Sequence, residues 1–150
     1  MDAALAMIRK RSIPTRVTSA WRKTQAQRDF FEILEVLSRS PRLEPDKAKI
    51  LYRLITRLDG AITPVKVRDG AGRPVLAVGV RGNYRDYSYE RNAVDVLLDP
   101  DTYAYRGIRH VAGLGYYAGG KASGGPFVAK GTVVATMTRV STVIADRPER

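Results

Sequence analysis

The hydrophobic period of this chain changes once, near Gly60, and the change constrains the fold more than any other feature. Before it, apolar residues recur at helical spacing. Phe30, Phe31, Leu34 and Leu37, with Ile33 beside them, predict a helix over Gln25–Ser38, ended by Ser40-Pro41. Ala48, Leu51, Leu54, Ile55 and Leu58 predict a second over Pro45–Leu58, with Pro45 suited to its first turn, Asp46 to its dipole and Gly60 to its C-terminal cap. From Ala61 onward the period is two. Strands are expected over Ile62–Val67, Val75–Val80, Val94–Leu98, Tyr103–Ile108 and Thr132–Ile144, with a polar strand or loop over Tyr84–Arg91. Pro64 marks the first of these as an edge or a strand start. Helices followed by strands, with no βαβ alternation, predict an α+β fold: two N-terminal amphipathic helices on an antiparallel sheet of about six strands.

The turns between strands carry their own chemistry. Arg68–Pro74 (RDGAGRP) is headed by Asp-Gly. Asp99-Pro100-Asp101-Thr102 joins two strands, with Asp99 placed to accept from the backbone N–H groups that follow it. Gly113–Gly125 holds six glycines and predicts a mobile hairpin loop. It has neither the GxGxxG nor the GxxxxGK[ST] spacing of a phosphate cradle, and strand follows it instead of helix.

The division into domains follows from charge and length. One domain suits 150 residues, and a core of that size needs no disulfide, in keeping with the absence of cysteine. Residues 1–24 are expected to be a basic irregular arm, with residues 25–150 a single α+β domain. Trp21, the one tryptophan, is read as pinning the arm to the core. No window approaches the ~18–20 consecutive apolar residues of a membrane span. In MDAALAMIRKRS the basic residues follow the apolar run, the reverse of a signal peptide.

Net charge is +11, from 26 basic and 15 acidic residues. This favours an anionic partner: nucleic acid, acidic lipid or an acidic protein face. In the arm, Arg9, Lys10, Arg11, Arg16, Arg22 and Lys23 are candidate anion contacts; as an alternative they form a solvated basic tail. A second candidate surface combines Tyr84, Tyr87, Tyr89, Tyr103, Tyr105, Tyr116 and Tyr117 with Arg81, Arg85, Arg91, Arg106 and Arg109. Aromatic faces stack bases and guanidinium groups hold phosphates, but the same mixture suits a protein or lipid interface, or plain strand structure.

Candidates for catalysis are few. His110 is the only histidine, and no GxSxG motif accompanies it. Asp95 and Asp99 would share a strand face if alternation continued, but a solvent-facing Asp95 and a turn-forming Asp99 explain both without chemistry. No catalytic residue, metal site or cofactor is assigned.

FFEILEVLSRSP, AKILYRLITRLDGA, VRDGAGRPVLAVGV, VDVLLDPDTYAYRG and KGTVVATMTRVSTVIADRPER together resemble an uncharacterised actinobacterial family of cell-envelope proteins, often encoded beside extracytoplasmic-function sigma factors. The resemblance covers roughly the last four-fifths of the chain. It implies a membrane-anchored protein whose C-terminal portion lies on the extracytoplasmic face of the envelope, with no catalytic residue to carry over. With the lack of a catalytic constellation, the expectation is a non-enzymatic binding or regulatory module of an envelope-associated protein, linked to sigma-factor signalling, with a protein partner or anionic surface. The membrane helix upstream in that family has no counterpart here. The alternative is a basic nucleic-acid-binding protein using the arm and the Tyr/Arg surface.

Overall fold

The computed structural model describes Ala3, Ala6, residues 23–85 and residues 91–141. Arg9, Lys10, Arg11, Arg16, Trp21 and Arg22 of the arm, with Tyr87 and Tyr89, lie outside the described residues, as does the chain beyond Ser141.

Two helices come first, α1 (Gln25–Arg39) and α2 (Pro45–Thr56). A capping box opens α1. Gln27 N donates to Thr24 Oγ1 at 3.1 Å, and Thr24 N donates to Gln27 Oε1 at 2.9 Å. Two otherwise orphaned amides are satisfied reciprocally, and the start of the helix is set there. The buried stripe of α1 centres on Phe30, Ile33 and Leu37, while Phe31 and Leu34 flank it, partly buried. In α2, Pro45 sits at the start as expected, and Ala48, Leu51, Leu54 and Ile55 are buried. This helix ends at Thr56, short of the expected Leu58, so Gly60 lies beyond the cap. Its φ of 73° instead serves the entry to the sheet, where Arg81 N donates to Gly60 O at 2.8 Å. A Cβ at Gly60 would collide with the Arg81 carbonyl, so glycine is required on two grounds.

The strands are β1 (Val65–Arg68), β2 (Pro74–Gly79), β3 (Asn92–Leu98), β4 (Tyr105–Ala112), β5 (Tyr116–Tyr117), β6 (Phe127–Val128) and β7 (Val133–Thr138). Five of them form one antiparallel curled sheet in the order β1-β2-β3-β4-β7, and β5 and β6 form a small second sheet. The α+β fold expected from the period change is therefore present. The final strand is shorter than the β-branched run suggested. Gly113–Gly125, expected as one loop, contains β5 and a 3-10 turn at Lys121–Ser123.

Register sorts the side chains. Val78 pairs with Val96, and Leu76 with Leu98. Val78, Val80, Val96 and Leu98 meet Phe30, Ile33, Leu37, Leu51, Leu54 and Ile55 in the main core. Each such side chain contributes about 1.5–3 kcal/mol by leaving water. The alternate residues Val75, Ala77 and Leu97, with Val67 beside them, form a second cluster on the other face. That face is covered by the curl of the sheet itself. The β1–β2 turn reaches the end of β7, where Gly70 N donates to Thr138 Oγ1 at 2.9 Å and Arg73 Nη2 to the Arg139 carbonyl at 2.7 Å. Bulges at Leu97/Leu98 and His110/Val111 add local twist.

Candidate site: a buried carboxylate between two arginines

Asp95 occupies the middle of β3, on the face turned away from the helices, and is fully buried. Arg81 Nη1 donates to its Oδ1 at 2.7 Å, and Arg109 Nε to its Oδ2 at 2.9 Å. Arg109 is its directly opposed neighbour on β4, and Gly79 its neighbour on β2. A Cβ at Gly79 would overlap the carboxylate, so glycine there makes room for the charge. The expectation of a solvent-facing Asp95 is corrected. The second face of the sheet is interior because the sheet curls, and alternation places residue 95 on that face. Removing a carboxylate from water is costly, and two charge-assisted hydrogen bonds offset the loss.

The neighbouring acids are built in the same way. Asp99 Oδ1 accepts from Asp101 N at 3.0 Å and Thr102 N at 2.9 Å, and Oδ2 from Arg106 Nη2 at 2.9 Å. Burial raises its pKa, but the Thr102 amide, Arg106 and the Asp101 amide outweigh burial and hold it at about 2. This is the turn expected from Asp-Pro-Asp-Thr. Tyr103, in that turn, takes a left-handed φ of 58° and packs its ring 4.7 Å from Tyr52 of α2. Asp69 accepts from the amides of Ala71 and Arg73 and from Arg73 Nε, each at 2.9 Å. Burial is again outweighed, here by the Arg73 amide, the Arg73 side chain and the Ala71 amide, and its pKa is lowered. Asp95 and Asp99 do not form a pair, because β3 ends at Leu98, with Arg81 and Arg109 holding Asp95 and Arg106 holding Asp99.

Among the described residues the Tyr/Arg side chains gather in three places. At the middle of β3, Arg81 and Arg109 hold Asp95, and toward its start the Tyr84 ring lies over Gly113. Burial pushes the Tyr84 phenol up, against the lowering effect of the Arg81 charge beside it. Gly113 N donates to the Arg91 carbonyl, and the Arg91 guanidinium lies 4.1 Å from the Tyr116 ring centre. Arg85 follows Tyr84 in the chain. The second place lies at the C-terminal end of β3, roughly 10 Å from Asp95 at ~3.3 Å per residue. It holds Tyr103, Tyr105 and Arg106. There Arg139 lies 4.6 Å from the Tyr105 ring centre and donates to the Ser38 carbonyl. Burial raises the Tyr105 pKa against the opposing charge of Arg139. A cleft of about 270 Å³ lies beside this group, lined in part by Leu37, Pro41, Leu43, Tyr105 and Arg139. Tyr117 is apart from both, on β5, with its ring 5.2 Å from Phe127.

His110 lies on β4, half-buried, opposite Val94 and Ala135. Among the described residues no group of three or more His, Asp or Glu could hold a metal ion, and no helix is long and apolar enough to cross a membrane.

Sequence reasoning missed the exposure of β7. Val133, Val134 and Met137 lie open to solvent, and Val140 just beyond the strand is 75% exposed. The run VVATMT reads only as a strand, and its place at the sheet edge is what leaves it exposed. Arg139, which joins β7 to α1 and to the β1–β2 turn, carried no motif.

Comparison with known proteins adds no relative: no family model, curated protein or solved structure matches the chain.

Proposed function

We propose that this chain is a non-enzymatic binding module that takes a protein partner, in a regulatory role at the cell envelope. The observation that carries the reading is the concentration of exposed apolar side chains on and just after β7, an edge strand that neither helix covers. Exposed apolar side chains along an unpaired strand edge mark a pairing or interaction site. The acids support the same reading. Both oxygens of Asp95 and both of Asp99 are engaged by built-in donors, which suits scaffold roles better than proton transfer to a substrate. The envelope setting rests on the resemblance of the turn and strand motifs alone. The spread of the described Tyr/Arg residues over three places favours a protein partner over a single-stranded nucleic acid, which needs aromatic faces along one continuous track.

Photo-crosslinking tests the proposal. A benzoyl-phenylalanine replacing Met137 is expected to give a discrete protein adduct in envelope extract, and the same group replacing the exposed Ile50 of α2 to give none. No adduct at position 137 overturns the reading. So does binding of a labelled single-stranded oligonucleotide that survives physiological salt, which would restore the nucleic-acid alternative.

A further inference from the structure

We propose that the free edge of β7 takes an acidic, extended peptide as an added strand, a partner class that deepens the protein-binding reading and rests on it. Backbone geometry supplies the first part. Arg139 N donates to the Arg106 carbonyl at 2.7 Å, and β4 and β7 pair antiparallel with Ile108 opposite Met137 and Arg109 opposite Thr136. Hydrogen-bonded and non-hydrogen-bonded pairs alternate along such a ladder. Arg106/Arg139 and Ile108/Met137 are therefore bonded pairs, and the N–H and C=O of Thr136 point away from β4. Among the described residues β7 pairs with β4 alone. An added strand satisfies such groups by main-chain hydrogen bonds, with side-chain contacts on either face for specificity.

The two edges of the sheet differ in protection. β1 carries Lys66 and Arg68, charges of the kind that block unwanted pairing. β7 has no charged residue in its six positions.

Charge identifies the occupant. Between Asp101 and Asp146 the sequence contains no Asp or Glu, but it holds Arg106, Arg109, Lys121, Lys130 and Arg139. Asp99 and Asp95, from outside this segment, match Arg106 and Arg109. Lys121 and Lys130 are exposed, and Arg139 faces a carbonyl and an aromatic ring, which leave its charge in place. A second copy pairing antiparallel would set the Lys130 end of one β7 beside the Arg139 end of the other, between two chains of net +11. An acidic strand meets complementary charge at both ends.

The test uses the full chain and two labelled heptapeptides, one alternating glutamate with valine and one alternating lysine with valine, followed by fluorescence anisotropy. The glutamate peptide is expected to bind at least tenfold more tightly, and its binding to slow hydrogen exchange at the Thr136 amide. Thr136→Pro removes only the outward donor, a position where edge strands accept proline, and is expected to weaken binding at least tenfold. Thr136→Glu keeps the donor and sets a negative charge on the edge, so it should weaken binding of the glutamate peptide and narrow the preference between the peptides even if the proline variant fails to fold. Equal affinity for the two peptides, or glutamate binding unchanged in both variants, overturns the proposal. A doubled mass by sedimentation that Thr136→Glu abolishes also overturns it, in favour of a second copy. If neither peptide binds while the Met137 crosslink forms, the acidic-strand inference falls and the protein-binding reading stands. If both fail, both fall.

Discussion

Strands β2 and β7 are each six residues long, uncharged and rich in valine, PVLAVG and VVATMT. In β2 only Pro74 is exposed, whereas in β7 every residue but Thr138 is. The difference lies in position. β2 sits between β1 and β3, with the helices on one face and the curl of the sheet on the other. β7 lies on the outer side of β4 and beyond the helices. Apolar character therefore makes a strand here, and sheet order decides whether that strand becomes core or contact surface.

The sharpest way to break this comparison is to remove the charge from the interior half. Asp95→Ala leaves Arg81 and Arg109 partly buried with no counterion between them. We expect a loss of about 3–5 kcal/mol in urea unfolding, because stranding a buried charge costs more than the pair contributes. A loss below about 1 kcal/mol would mean that the curl leaves this face open to water. A matched pair of truncations reads the two strands directly. Val78→Ala, in the main core, should cost about 2 kcal/mol, and Val134→Ala, on β7, less than about 0.5 kcal/mol. Equal costs would show that β7 is covered in solution.

The smallest effect concerns the turns. Asp99 has a folded pKa of about 2, below the ordinary 3.8, so its ionised form favours the folded state. Its contribution is fully present above pH 3.8 and is lost as pH falls toward 2. After allowance for solvent at the turn, it amounts to about 1–2 kcal/mol. Asp69, whose pKa is also lowered, acts in the same direction. Asp99→Asn should lower stability by about that 1–2 kcal/mol near neutrality and flatten the profile between pH 3.8 and 2, so that the two proteins converge in acid. An unaltered acid slope would remove the turn from the account.

Much of the scaffold was legible because it is local. The helix starts at Thr24 and Pro45, the Asp69 and Asp99 turns, and the β-branched run of β2 all follow from side chains reacting with their own neighbouring backbone. Pro64 announced the start of an edge strand for the same reason, since proline lacks the donor an interior ladder needs. The candidate site was less legible. Asp95 carried no sign of burial, because its partners come from 14 residues away on either side and meet it only through register. Arg139 reaches Ser38 across 101 residues.

By itself the sequence determined where helix gives way to strand, which residues turn the chain, and the large positive charge. Those properties reside in short-range backbone preference and in composition. The tertiary structure alone decided that the sheet curls, that Asp95 is enclosed between two arginines, and that β7 is an edge strand among the described residues. Each of these depends on which strands become neighbours, and strand order is set by long-range pairing, which no local window of residues encodes.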